Sequence, residues 1–78
     1  MKSPVRLPKL GETADGAVIE QWLVQVGDRV EAGQPLVSVE TDKVRTEVSA
    51  PVSGIVSEIL VEPDEEVRTG DHICVIST

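Results

Sequence analysis

Glycine, proline and aspartate interrupt this chain of 78 residues about every eight to twelve positions, so no stretch sustains a helical period. The runs between these interruptions are short, and valine alone occupies 14 positions. β-Branched side chains suit the pleated surface of a strand better than a helix. This spacing is typical of an all-β sandwich or barrel. The predicted strands are 5–7, 17–24, 36–40, 44–48, 55–61 and 72–76.

The chain also consists of two similar halves. The run from Gly16 to Trp22 resembles the run from Gly54 to Leu60, an offset of 38 residues. Two such halves predict a pseudo-twofold domain in which neither half buries its apolar face alone. Segment 40–44 falls at their join, so we expect the chain ends to lie together and this segment to lie at the far end. Later positions match at an offset of 37, pairing Val30, Gly33, Leu36 and Val39 with Val67, Gly70, Ile73 and Ile76.

Charge and composition argue against several classes of function. Seven Lys and Arg against 14 Asp and Glu give a net charge of −7, which disfavours binding to nucleic acids or anionic membranes. The single cysteine forms no internal disulfide, and we expect neither a metal site nor a catalytic motif. No apolar run approaches the roughly 20 residues that span a bilayer, and the first residues lack a signal peptide. We therefore expect a location in the bacterial cytoplasm.

One turn departs from ordinary turn chemistry. Strands 36–40 and 44–48 predict a hairpin, and two-residue hairpin turns favour Asn-Gly or Asp-Gly because their central residues need positive φ. Here the central residues are Asp42 and Lys43. Such a break in local rules is expected where function resides. Lys43 is the only lysine beyond the N-terminal segment, and its acidic neighbours favour the ammonium form. It would need another enzyme to activate any group that joins it.

Motifs along the whole chain identify a family. The central motif is Glu40-Thr41-Asp42-Lys43-Val44, between the two half-repeats. Together with the supporting motifs it resembles the lipoyl domain of the dihydrolipoamide acyltransferase (E2) in 2-oxo acid dehydrogenase complexes, within the biotinyl/lipoyl family. The supporting motifs are Leu7-Pro8-Lys9-Leu10-Gly11-Glu12, Gly16-Ala17-Val18-Ile19-Glu20-Gln21-Trp22, Val26-Gly27-Asp28-Arg29-Val30, Gly33-Gln34-Pro35-Leu36, Ala50-Pro51-Val52-Ser53-Gly54 and Val67-Arg68-Thr69-Gly70-Asp71.

The resemblance implies a fold, a cofactor and a set of site residues. The fold is a flattened barrel-sandwich of two four-stranded antiparallel sheets, with lipoic acid joined covalently to Lys43 at an exposed hairpin tip. The flanking Glu40, Thr41, Asp42 and Val44 would mark this lysine for a lipoate ligase or lipoyl transferase. A loop between the first two strands would lie beside the turn and help partner recognition. Its residues are Gly11, Glu12, Thr13, Ala14, Asp15 and Gly16.

The resemblance also implies a role in a larger assembly. The domain itself would be a monomeric, non-catalytic carrier that moves acyl groups and electrons between three active sites. These belong to the thiamine-diphosphate-dependent 2-oxo acid dehydrogenase (E1), the acyltransferase core (E2) and dihydrolipoamide dehydrogenase (E3). Residues 1–78 form a single domain, interpreted as the N-terminal part of a longer acyltransferase, with an independent carrier as the alternative. The motif at 40–44 slightly favours the 2-oxoglutarate and branched-chain dehydrogenase systems.

Two other functions fit the same fold. A biotin carrier domain of a carboxylase also bears a hairpin lysine, but biotin carriers resemble one another in having methionines beside it, where this chain has Asp42 and Val44. An unmodified interaction module would have no reason to keep the motif at 40–44. Outside the turn, we expect Trp22, matched to Leu60, and Cys74, matched to Val37, to lie in the core, and His72 to lie at the surface.

Overall fold

The computed structural model describes residues 1–10 and 15–78, which form eight strands in two four-stranded antiparallel sheets. This confirms the predicted all-β class. The strand pattern alone indicated six strands, and it missed β3 and β7 because they are only two and three residues long. No helix able to span a membrane occurs within the described ranges. The strands are β1 (Lys2–Arg6), β2 (Gly16–Trp22), β3 (Arg29–Val30), β4 (Pro35–Glu40), β5 (Arg45–Ser49), β6 (Gly54–Ile59), β7 (Glu66–Arg68) and β8 (His72–Ser77).

The order of the strands confirms the pseudo-twofold arrangement. One sheet has the order β1-β8-β6-β3, and the other has the order β5-β4-β2-β7. Strands β1, β2, β3 and β4 of the first half correspond to β5, β6, β7 and β8 of the second. When each strand is replaced by its counterpart, the first order becomes the second. Each sheet therefore takes strands from both halves of the chain, and neither half forms a sheet alone.

The predicted offset of 38 between the segments at Gly16 and Gly54 is wrong, because the structure matches these strands at 37. The β-bulge between Ile19 and Gln21 corresponds to the bulge between Val56 and Glu58. Ile19 and Val56 are both fully buried, whereas an offset of 38 would match Ile19 with Ser57. A slip of one residue exchanges the two faces of a strand, so burial decides the register.

The two glycines that suggested the offset of 38 occupy different places. Gly16 pairs with Arg68, whereas Gly54 pairs with Val30, as Ala17 pairs with Val67. The glycine of each strand is therefore displaced by one residue relative to the other. Trp22 consequently corresponds to Ile59 rather than Leu60.

A single hydrophobic core takes residues from both sheets. Cys74 and its partner in the repeat, Val37, are both fully buried, as predicted for the cysteine. Trp22 packs against this core while half-buried, and its indole N–H donates to the carbonyl of Val61 at 3.0 Å. Burial of each large aliphatic side chain stabilises the fold by about 1.5–3 kcal/mol. The largest fully buried side chains are Leu7, Ile19, Leu36, Ile73 and Ile76.

The chain ends and the turn after β4 occupy equivalent places in the two halves of the fold. The N–H of Thr78 donates to the carbonyl of Met1 at 2.7 Å, and the pair Lys2–Ser77 follows. The equivalent pair is Glu40–Arg45, which the turn closes. We call residues 1, 2, 77 and 78 the terminal pole and residues 40–45 the lysine pole.

The path from β7 to β8 places the two poles apart. In β2, Gly16 pairs with Arg68 at the end of β7 and Val18 pairs with Glu40 at the lysine pole, so β7 ends on that side of the domain. Residues 69–71 lead directly into β8, which runs away from that side to Ser77 at the terminal pole. This agrees with the expected placement of the mid-chain turn opposite the chain ends.

Candidate functional site

The hydroxyl of Thr41 shapes the turn at the lysine pole. It accepts the N–H of Val44 at 3.2 Å and that of Lys43 at 3.4 Å, and it donates to the carbonyl of Val44 at 3.1 Å. The N–H of Thr41 also donates to that carbonyl, at 2.8 Å. A threonine hydroxyl has one donor and two acceptor sites, so these contacts use its full capacity.

This geometry explains how a lysine occupies a tight hairpin turn. A side-chain oxygen that accepts backbone N–H groups replaces the carbonyl of an ordinary turn. Asp42 and Lys43 then need no positive φ, and Asp64 is the non-glycine residue with positive φ in the described part of the chain. The apparent violation of turn chemistry is therefore resolved by Thr41.

Lys43 stands at the exposed tip of this turn. Asp42 and Val44 on either side are also exposed. Among residues 1–10 and 15–78, no carboxylate lies within 4.0 Å of its ammonium, although Glu40, Asp42 and Glu47 are near in sequence. An exposed lysine without an ion pair is accessible to a modifying enzyme.

Arg45 does make ion pairs. Its Nε lies 2.8 Å from Oε2 of Glu20, and its Nη2 lies 3.9 Å from Oε2 of Glu40. The other oxygen of Glu20, Oε1, accepts a hydrogen bond from the hydroxyl of Ser38 at 3.1 Å. Sequence reasoning missed Glu20 and Ser38 because only the registers of β2 and β4 bring them to Arg45.

A groove joins the lysine turn to neighbouring segments. Of the predicted recognition loop, Asp15 and Gly16 line this groove, whereas Gly11, Glu12, Thr13 and Ala14 lie outside the described residues. The carbonyl of Asp15 accepts the N–H of Thr69 at 2.8 Å, which ties this end of the loop to the end of β7. Sequence reasoning missed the contribution of β7 to the groove, namely Glu66, Val67 and Arg68.

The remaining chemically notable residues lie elsewhere. Cys74 is enclosed by the core, and burial raises the pKa of its thiol to about 11. A thiol that stays protonated near neutral pH is a poor nucleophile. His72 is exposed on β8, as predicted, and accepts a hydrogen bond from Nε of Arg6 at 3.2 Å. Within the ranges described by the structure, no group of three or more His, Cys, Asp and Glu side chains could hold a metal ion.

Sequence comparisons place this geometry in a family. The biotin/lipoyl family model, described as "Biotin-requiring enzyme", matches residues 3–76. The chain is 46% identical over 97% of its length to the dihydrolipoyllysine-residue acetyltransferase component of the pyruvate dehydrogenase complex of Corynebacterium glutamicum. It is 41% identical over 94% of its length to the succinyltransferase component of the 2-oxoglutarate dehydrogenase complex of Bacillus subtilis. The chain spans only 11% and 18% of these two proteins.

Solved structures agree with this assignment. The lipoyl domain of the 2-oxoglutarate dehydrogenase complex of Azotobacter vinelandii superposes with a TM-score of 0.75 at 25% identity, covering 96% of this chain and 95% of that domain. The urea carboxylase of Kluyveromyces lactis gives a TM-score of 0.83 at 27% identity, covering 99% of this chain and 6% of that enzyme. The chain therefore belongs to the biotinyl/lipoyl domain family, and within it to the lipoyl domains of dihydrolipoamide acyltransferases.

Proposed function

We propose that this domain is a lipoyl carrier and that Lys43 is its attachment residue. The observation that carries the proposal is the exposure of Lys43 on a turn held by Thr41, at the pole opposite the chain ends. The relatives support it, because their names specify a dihydrolipoyllysine residue. Glu40, Thr41, Asp42 and Val44 would then form the surface by which a lipoate ligase or lipoyl transferase recognises this lysine.

The residues around Lys43 fit a covalently attached lipoyl group. The lysine is exposed, its backbone N–H is held by Thr41, and the adjacent groove includes apolar surface from Ala17 and Val18. When bound, lipoic acid supplies a dithiolane that takes part in redox and acyl-transfer chemistry. The protein supplies the position of the attachment point and a surface for partner recognition. Attachment far from the chain ends leaves this pole free to enter another active site.

We propose partners from the identity of the relatives. These are the 2-oxo acid dehydrogenase (E1), the acyltransferase core (E2) and dihydrolipoamide dehydrogenase (E3) of one complex, with the domain itself monomeric and located in the bacterial cytoplasm. Tethering to a common core raises the effective concentration at each active site, so weak encounters suffice. A pyruvate and a 2-oxoglutarate system both occur among the relatives, at 46% and 41% identity.

Biotin is the competing cofactor, because the urea carboxylase shares the fold with a TM-score of 0.83. The absence of methionine beside Lys43 favours lipoate, since Asp42 and Val44 flank it. One modification assay distinguishes lipoate from biotin as the cofactor. The domain is incubated with ATP and either lipoate and a lipoate ligase or biotin and a biotin ligase, and its intact mass is measured.

We expect one lipoyl group on the parent domain and none on the Lys43→Arg variant. Amide formation removes one positive charge, so the net charge changes from −7 to −8 and the band shifts on a native gel. Modification that persists in Lys43→Arg would overturn the assignment of the residue. Modification by biotin alone would overturn the assignment of the cofactor.

A further inference from the structure

The pseudo-twofold symmetry separates features shared by both halves from features found in only one. The polar contacts of Glu20, Ser38 and Arg45 belong to the second kind. At an offset of 37, Glu20 corresponds to Ser57 and Ser38 to Val75, and the sheet register matches Arg45 with Lys2. The other half folds without this interaction, so its presence beside the lysine turn points to a role for that turn.

The equivalent position in the other half is built differently. There the hydroxyl of Ser57 donates to the backbone carbonyl of Val75 at 3.1 Å. In the described ranges, Lys2 forms no ion pair within 4.0 Å. The backbone pairing of these strands is the same in both halves, whereas among the residues that the structure describes the ion pair occurs at the lysine pole and not at its counterpart.

The ion pair ties the base of the lysine turn across the sheet. Arg45 is the first residue of β5, two positions after Lys43, and within the described ranges β5 is an edge strand that pairs with β4 alone. The side chain of Arg45 passes over β4 to Glu20 on β2. It therefore links the edge strand to a strand that it does not contact through backbone pairing.

The β-bulge in β2 places Glu20 for this contact. Glu20 lies between the paired residues Ile19 and Gln21 and has no partner of its own in β4. Bulges commonly redirect one side chain at the expense of regular pairing. The hydroxyl of Ser38, a residue that is only 9% exposed, then fixes the second carboxylate oxygen of Glu20.

We propose that Glu20, Ser38 and Arg45 position Lys43 by fixing the angle at which the hairpin leaves the sheet. The hydrogen bonds of Thr41 set the shape of the turn, but they all lie within the turn and do not fix its tilt. Enzymes lose rate steeply when a reacting group is displaced by about 1 Å. The proposal rests on the proposed lipoyl attachment at Lys43, and it assigns Glu20 and Arg45 as positioning residues for that modification.

The expected effect is on the rate of modification more than on stability. The side chains of Arg45 and Glu20 are 67% and 31% exposed, and solvent-screened ion pairs contribute little to folding. We expect Glu20→Gln and Arg45→Gln each to lower kcat for lipoylation by roughly tenfold, with melting temperatures close to that of the parent. Arg45→Lys, which keeps the charge, should recover part of the rate.

The chain offers a matched control. Arg29 and Glu31 also form an arginine–glutamate pair, at 3.5 Å, and both side chains are about as exposed as that of Arg45. Arg29→Gln removes the same charge as Arg45→Gln. Because Arg29 lies on β3 in the other sheet, its loss should leave lipoylation unchanged. Glu20→Gln and Arg45→Gln change the net charge in opposite directions. A simple effect of charge would therefore move their rates in opposite directions, whereas loss of positioning lowers both.

Lipoylation by a lipoate ligase is measured on each purified variant at several domain concentrations, to separate kcat from KM. Circular dichroism checks folding at the assay temperature, and Ser38→Ala, which removes the hydroxyl that holds Glu20, provides the test if a glutamine variant does not fold. Parent-like rates for folded Glu20→Gln and Arg45→Gln, or for Ser38→Ala if those unfold, would overturn the proposed positioning. Absence of lipoylation in the parent would instead overturn the proposed function.

Discussion

The two poles of the domain share a local hydrogen-bond pattern yet differ in what they carry. Thr41 and Thr78 are equivalent at an offset of 37, and their N–H groups donate to the carbonyls of Val44 and Met1 at 2.8 and 2.7 Å. Their hydroxyls donate to the same two carbonyls at 3.1 and 3.2 Å. The hydrogen bonds that frame the lysine turn are therefore repeated at the terminal pole. The features specific to the lysine turn are the residues and contacts that the terminal pole lacks.

The poles differ first in how the chain is connected. At the terminal pole, the ammonium of Met1 donates to the carbonyl of Thr78 at 2.9 Å. At the lysine pole, Asp42 and Lys43 bridge the gap, and the N–H of Val44 bonds instead to the hydroxyl of Thr41. The second difference is the ion pair between Glu20 and Arg45. The comparison teaches that the frame of the turn is a repeated feature, whereas the contacts of Glu20 and Arg45 distinguish the lysine pole from the terminal pole.

The largest effect should come from moving the lysine within its own pole. The double variant Asp42→Lys with Lys43→Asp keeps composition and charge but changes the direction of the ammonium. We expect lipoylation to be about a hundredfold slower, equivalent to about 2.7 kcal/mol in activation free energy. Intact mass against time gives the rate. A rate equal to that of the parent would mean that the ligase does not read the position of the lysine.

The next largest effect is on stability at high pH and concerns Cys74, which corresponds to Val37 in the other half. Burial raises the pKa of the thiol from 9.0 to about 11, so the folded state keeps the proton that the unfolded state releases above pH 9. The stability that depends on the protonated thiol is complete below pH 9 and is lost as the pH rises towards 11. Cys74→Val should remove this loss, which amounts to about 2 kcal/mol at pH 11.

Urea unfolding of the parent and of Cys74→Val between pH 7 and 11 measures this difference. Near neutral pH the two proteins should differ by less than about 1.5 kcal/mol, because the side chains have similar volumes. The two proteins share every other side chain, so other effects of pH cancel from the comparison. Parallel curves up to pH 11 would contradict a raised pKa for the thiol.

A smaller effect should separate Thr41 from its counterpart Thr78. Thr41→Val removes the acceptor of two backbone N–H groups, so we expect about 1 kcal/mol less stability and lipoylation slowed about fivefold. Thr78→Val removes one exposed hydroxyl donor and no acceptor of a backbone N–H, so its effect should be within about 0.5 kcal/mol. Thermal unfolding and the ligase assay measure both variants. Equal losses of lipoylation in the two would show that the hydroxyl of Thr41 acts only through general stability.

The smallest effect should come from the acidic side chains around the groove. Asp15 and Glu66 line it beside Lys43, whereas Glu12 of the predicted recognition loop lies outside the described residues. Exposed charges mainly guide the encounter between two proteins, and this electrostatic effect weakens as the salt concentration rises. Asp15→Asn with Glu66→Gln should slow reductive acylation by the cognate dehydrogenase two- to threefold at low salt, about 0.5 kcal/mol.

This test uses fully lipoylated parent and variant, with Glu58→Gln and Glu62→Gln together as a control of equal charge. The control changes glutamates that do not line the groove, so it should leave the acylation rate unchanged. The difference between variant and parent should disappear at high ionic strength. Equal slowing by both double variants would assign the effect to net charge rather than to this surface.

Much of the fold could be predicted because strand spacing and turn residues are local features of the sequence, and the repeat is visible when the two halves are compared. The strand at 36–40 and the buried position of Cys74 followed from spacing and composition alone. The match of Gly16 with Gly54 failed, because like residues were aligned without knowledge of which face each strand buries. Ile19 and Val56 settle the register, and only packing of the two sheets makes their equivalence visible.

The sequence by itself determined the all-β class, the two halves and Lys43 as the distinctive residue, because turn residues and β-branched runs act within a few positions. The tertiary structure decided how that lysine is held. Thr41 replaces the expected glycine through contacts that depend on the side-chain rotamer, and Glu20 reaches Arg45 across 25 positions of sequence. Such contacts depend on sheet order and on one bulge in β2, which no local pattern encodes because strand pairing joins residues far apart in the chain.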